Sequence, residues 1–203
     1  MLKSLPREIV TSLRLTLALA VVCSLAYTYA VTGVAQVLFP AQANGSLITR
    51  GGSAVGSTLI GQNFTDAKYF WGRPSPTVSV SDATKADPYN AQNSAGSNLG
   101  PSNQALIDRV KKSVADLMKA NPTLTGDVPV DLVTTDFAGF DPYISPASAQ
   151  VQVSRIAVAR GLDTARVTKL VRDHVEGRTL GIFGEPHVNV LMLNLALDDG
   201  AAG

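Results

Sequence analysis

Residues 15–39 read LTLALAVVCSLAYTYAVTGVAQVLF, and no charged side chain occurs between Arg14 and Arg50. As an α-helix this stretch rises about 37 Å, enough to cross a hydrocarbon core of about 30 Å with some tilt. Pro40 then marks a stop. Core helices of soluble domains rarely run this long without a charge. A cleaved signal peptide is the rival reading, because the start is basic and Ala41-Gln42-Ala43 resembles a cleavage site. Secretory apolar runs span only about 7–15 residues, so the length fits an uncleaved anchor better. Lys3, Arg7 and Arg14 precede the span against one acid, Glu8. The positive-inside rule therefore places the N-terminus in the cytoplasm and everything after Pro40 outside.

Working outward, residues 1–14 form a short cytoplasmic tail and 15–39 a single membrane helix. Residues 41–203 form an extracytoplasmic domain, so the chain is a single-pass protein of the cell (inner or plasma) membrane. The whole chain has 203 residues with 17 basic and 16 acidic side chains, and 45% are hydrophobic. Disordered chains need low hydrophobicity and high net charge, which is not the balance here. A net charge of +1 offers no excess to meet phosphate, which excludes a nucleic-acid binder. The sole cysteine, Cys23, lies in the span, so packing and not crosslinks must stabilise the outer domain.

Residues 44–104 are rich in Gly, Ser, Asn and Pro, with short apolar pieces that read as strands and turns held by aromatics. Ser79 to Gly100 is the least structured by composition, either a docked loop or a mobile one. Ser102 is positioned to cap a helix to Ala120, with Leu106, Ile107, Val110, Val114, Leu117 and Met118 on one face. Val128 to Val133 reads as a short extended segment. Ser145-Pro146 opens a second helix that Gly161 stops. Asp163 caps a third, with Val167, Leu170, Val171 and Val175 inward. His187 to Leu195 reads as a strand running into a short helix. The fold class is α+β or α/β, anchored by one N-terminal transmembrane helix.

Catalytic and ligand motifs are sparse. Gly51 to Thr58 matches a phosphate-binding loop except that Ser57 stands where the lysine must reach the phosphates, and no strand–helix context surrounds it. His174 and His187 are not spaced as a ligand pair, whereas metal sites want three or four ligands. No G-x-S-x-G elbow occurs. Asp136 and Asp141 bracket Phe137 to Phe140 and read either as a carboxylate pair or as loop acids around a turn. In the span, Thr16, Ala20, Ser24, Thr28, Thr32 and Gln36 recur every fourth residue. Small and hydroxyl side chains there allow a second helix to approach closely, or the hydroxyls bond their own backbone. Each four-residue step rotates about 40°, so the row winds and three or four members face one neighbour.

Several segments together resemble one family. They include Gly56-Ser57-Thr58-Leu59-Ile60-Gly61-Gln62-Asn63-Phe64, Tyr69-Phe70-Trp71-Gly72-Arg73-Pro74-Ser75 and Val128-Pro129-Val130-Asp131-Leu132-Val133. Ala43 to Ile48, Ala95 to Pro101, Ile144 to Ala149, Arg155 to Leu162 and Val188 to Leu197 complete the set. In this order, behind one membrane helix, they resemble the C subunit of the bacterial Kdp-type potassium-transporting P-type ATPase.

The resemblance implies an accessory subunit, not an enzyme in itself, that assembles the pump and acts as a catalytic chaperone. It implies three partners besides the lipid bilayer: a channel-like potassium-carrying subunit, a P-type ATPase subunit and a very small subunit. ATP and K+ are then handled by those partners, and this chain holds no cofactor and no metal. The family's implied nucleotide contact maps to Thr134 to Asp141, where an aspartate and two phenylalanines replace smaller residues. An outer domain has no access to cytoplasmic ATP, so any effect on ATP use would be allosteric. A free-standing membrane-anchored binding domain or hydrolase is the alternative. The candidate partner contacts are Ser24 and Thr28 in the span, and Tyr69, Phe70, Trp71 and Arg73 outside it. Those aromatics are also the residue types that fill cores.

Overall fold

The computed structural model describes residues 5–200, so Lys3 lies outside the described residues. The chain divides into two compact units, residues 1–47 and 48–203.

The first unit is dominated by one helix, α1 (Leu5–Leu38). Its middle, Val21–Tyr27, is a π-helix flanked by regular α-helical turns. Thr28 Oγ1 donates to the Cys23 carbonyl five residues back, at 3.3 Å. Phe39 breaks the ladder, and one further helical turn, Pro40–Ala43, follows with proline at its first position. Gln36 and Asn44 exchange amide hydrogen bonds across that turn, which fixes the exit of the chain.

The second unit mixes short strands and helices. Strands β1 (Leu47–Arg50) and β2 (Ser53–Ser57) form a two-stranded sheet. Their connection is Gly51-Gly52, both at positive φ, the pairing a type I′ hairpin turn requires. The stretch resembling a phosphate loop is therefore a hairpin. A long irregular segment leads to α2 (Gln104–Ala120). Asn103, not Ser102, is its N-cap, accepting from the Ala105 N–H. Leu117 is the buried residue of this helix, and Met118 faces solvent where helical spacing placed it inward.

Val130–Leu132 is a single 3₁₀ turn where the sequence suggested an extended segment. The Asp131 carboxylate accepts from Ser145 N–H, Ser145 Oγ and Ser148 Oγ, which pulls the chain into the turn. β3 (Tyr143–Ile144) precedes the helices α3 (Pro146–Gln150) and α4 (Val153–Arg160). These two replace the single helix expected between Ser145 and Gly161. Ser145 caps the first, and Gly161 in the left-handed region ends the second. α5 (Thr164–Asp173) starts on Asp163 as expected and buries Val167 and Val171. Val175 is not part of it but opens β4 (Val175–Glu176), partly exposed. β5 (His187–Asn189) runs directly into α6 (Val190–Gly200).

The order β3–β5–β4 makes an antiparallel sheet with Ile144 opposite Val188 and Glu176 opposite His187. Ile156, Val153, Val167, Val188 and Leu193 close the core between this sheet and the helices. Mixed strands and helices behind one apolar N-terminal helix are thus the observed architecture.

Candidate partner-docking site

The segment Asp66–Ser75 has no regular secondary structure, yet its central backbone groups at Phe70 and Trp71 are paired. Fully buried side-chain amides, one on a helix and one in a turn, take the place of a neighbouring strand. Asn194 of α6 accepts from Phe70 N–H at 2.8 Å and donates to the Phe70 carbonyl at 2.9 Å. Gln152, in the turn before α4, accepts from Trp71 N–H at 2.8 Å and donates to the Trp71 carbonyl at 3.1 Å. Buried backbone groups must find partners, and here side chains supply them.

Arg155 fixes the same segment from below. It is 8% exposed. It donates to the Tyr69 carbonyl at 3.0 Å, to Asn121 Oδ1 at 3.1 Å and to Gln152 Oε1 at 2.6 Å. Its guanidinium also stacks on the Trp71 ring at 4.1 Å. Burial pushes its pKa down to about 10, still well above neutrality, so the group stays charged and pre-organises the loop. Arg160 stacks on Tyr69 and pairs with Asp198, whose carboxylate also accepts from Tyr69 Oη.

These contacts distribute the four aromatic-segment candidates. Phe70 is 0% exposed and belongs to the core. Tyr69 and Trp71 are half-buried, each with one face covered by an arginine. Arg73 stands between two open grooves, each of about 380 Å³. One is lined by Phe64, Trp71, Pro74, Tyr89 and Leu132. The other is acidic, with Asp131, Asp141 and Glu185 beside Tyr143 and His187. Arg73 donates to the Thr135 carbonyl at 3.2 Å and lies 3.5 Å from Asp141, while its buried Nε has no hydrogen-bond partner among the described residues. Tyr89 forms the floor, its Oη donating to the Arg73 carbonyl at 2.7 Å and its ring packed against Gly61 and Gly72. A Cβ on Gly61 would collide with that ring, and one on Gly72 with its hydroxyl. Burial raises the Tyr89 phenol far above its ordinary value.

Asp136 and Asp141 organise the neighbouring loop. Asp136 accepts from Gly139 N–H and Asp141 N–H, and Asp141 accepts from Tyr143 N–H. Burial raises the Asp141 carboxyl above its ordinary range and outweighs both that hydrogen bond and the Arg73 charge. His174 closes α5 by an Nδ1 contact to the Leu170 carbonyl, whereas His187 sits edge-on to Tyr143 at the sheet. The span candidates Ser24 and Thr28 both touch the π-helical stretch. A π turn with i→i+5 bonding sets the helix register back by roughly one residue, about 100°. The drift from Thr16 to Gln36 then falls from about 200° to about 100°. The row of small and hydroxyl side chains is therefore more nearly one face than α-helical spacing allows.

Sequence reasoning did not single out Gln152, Asn194 or Asn121. The available signal was an amide inside an apolar helical run, as in Leu193-Asn194-Leu195.

The model of the family described as "KdpC: K+-transporting ATPase, c chain" matches residues 9–199. A potassium-transporting ATPase KdpC subunit from Bradyrhizobium diazoefficiens is 54% identical over 97% of this chain and 98% of its own length. A KdpC subunit from Rhodopseudomonas palustris strain BisB18 is 55% identical over 95% and 98%. One from Sorangium cellulosum is 54% identical over 92% and 95%.

Proposed function

The chain belongs to the KdpC family of K+-transporting ATPase c chains, and from that premise we propose that it is a non-catalytic subunit holding the assembled pump together from outside the membrane. Family membership assigns it to a potassium uptake complex in place of a free-standing domain or hydrolase. The part of α1 from residue 15 onward is the anchor, with residues 1–14 cytoplasmic and the mixed domain extracytoplasmic. The domain docks over the outer mouth of the channel-like potassium-carrying subunit, using the Trp71–Arg73 rim. Ser24 and Thr28 meet a partner helix within the bilayer. Catalytic-chaperone action on the P-type ATPase subunit is exerted across the membrane, by favouring one conformation of the assembly over another.

The observation that supports this reading best is the rim itself. Trp71 and Arg73 are held rigid by Gln152, Arg155 and Tyr89, and pre-ordered aromatic and arginine side chains lose little entropy on binding. With 14 basic and 15 acidic residues after the span, the domain carries too little net charge to steer cations over distance.

Labelling in intact cells tests the placement. In a Cys23→Ser background, a cysteine replacing the exposed Ala83 reacts with a membrane-impermeant thiol reagent if the domain is outside. Labelling only after cell lysis contradicts it.

A further inference from the structure

Between β4 and β5 the chain makes a ten-residue excursion, 177–186, that closes on itself. Thr179 and Phe183 exchange backbone hydrogen bonds at 2.9 and 3.0 Å, and Gly181 N–H donates to the Arg178 carbonyl at 3.0 Å. At its base Arg178 Nη2 donates to both carboxylate oxygens of Glu185, at 2.8 and 2.7 Å. The tip is Leu180, Ile182 and Phe183, exposed by 85%, 72% and 64%. Leu180 also adopts φ of +55°, a left-handed conformation costly for a leucine.

Soluble surfaces rarely present three large apolar side chains together on one projecting loop unless something covers them. Backbone strain and internal closure define the shape of this tip before any contact. A bilayer rewards apolar area and cationic flanks and needs no particular shape. Here the cation of the loop itself, Arg178, is already committed to Glu185, so the loop offers no net charge to anionic headgroups. A fixed, uncharged, apolar projection is complementary to a shaped apolar recess on a protein.

We propose that the loop Arg178–Glu185 is a docking tongue whose Leu180, Ile182 and Phe183 seat in an uncharged apolar recess on the outer face of a membrane-embedded subunit of the same pump. This rests on the proposed extracytoplasmic docking and names a second, apolar point of attachment beside the Trp71–Arg73 rim. The tip contributes nothing to the core, so polar substitutions leave the domain folded.

The test uses the full chain in native membranes. A photo-crosslinking residue at Ile182 yields an adduct with a membrane-embedded pump subunit. Ile182→Asp lowers recovery of those subunits with the tagged chain by at least about tenfold, with an unchanged melting temperature. Thr164→Asp, on an exposed helix start outside the tongue, leaves recovery as in the parent. Adducts with lipid alone or with a second copy of this chain overturn the tongue, as does undiminished recovery of Ile182→Asp. If the parent chain itself recovers no other subunit, the docking reading fails and the tongue with it. If the parent recovers them and Ile182→Asp does so equally, only the tongue fails.

Discussion

Replacing Asn194 by leucine separates docked from free forms of the aromatic segment. Leucine has the same branching and number of heavy atoms and suits the apolar face of α6, so no cavity is opened. What disappears is the pair of hydrogen bonds to Phe70 N–H and its carbonyl, in a site where Asn194 is 1% exposed. Each orphaned buried group costs roughly 1–3 kcal/mol, so the pair costs roughly 2–6 kcal/mol. That is a large share of the roughly 5–15 kcal/mol that stabilises a domain. The melting temperature of the purified chain, followed by circular dichroism in detergent, should fall by at least about 5 °C. Limited proteolysis should find new cleavage near Lys68, because the loop is released before the helices melt. A shift below about 2 °C with no new cleavage would refute the idea that side-chain amides hold this segment.

The double substitution Ser24→Leu with Thr28→Leu should leave membrane insertion intact, since both changes add hydrophobicity, but reduce recovery of the complex. Each interhelical hydrogen bond is worth about 0.6–2 kcal/mol, and bulk at a close contact adds to the loss; full recovery would assign this face to lipid. Asp141 gives a pH signature. Burial raises its folded pKa above the ordinary 3.8, so the folded state binds the proton more tightly than the unfolded chain. Its contribution is fully present below about 3.8 and is lost as pH rises through the raised folded value. Asp141→Asn does not titrate, so its melting temperature should rise relative to the parent between about pH 3 and pH 6, and a flat or shrinking difference contradicts the burial.

The membrane helix was legible because its signal is cumulative: an uncharged run needs no tertiary information. Helix starts at Ser145 and Asp163 were legible for the same local reason, a cap residue before an apolar periodicity. Local signals failed where two caps compete, as at Ser102 and Asn103. They also failed where a distant group decides the backbone, as Asp131 does by drawing Ser145 and Ser148 onto the 3₁₀ turn. The aromatic segment was only half legible. Aromatic and arginine types marked Tyr69 to Arg73, but periodicity has no hold on an irregular segment. Which ring enters the core was set by Asn194 and Gln152, more than eighty residues away. The π turn in α1 left no trace in composition, so the continuity of the Ser24–Thr28 face emerged only from the backbone.

The most direct measurement is recovery of the tagged chain from native membranes, with every co-eluting protein identified. A multi-span potassium-carrying subunit and a P-type ATPase subunit should elute with the parent chain, and Trp71→Ala should weaken that association while the domain stays folded. A folded parent chain that elutes alone from cells expressing the pump would contradict the account.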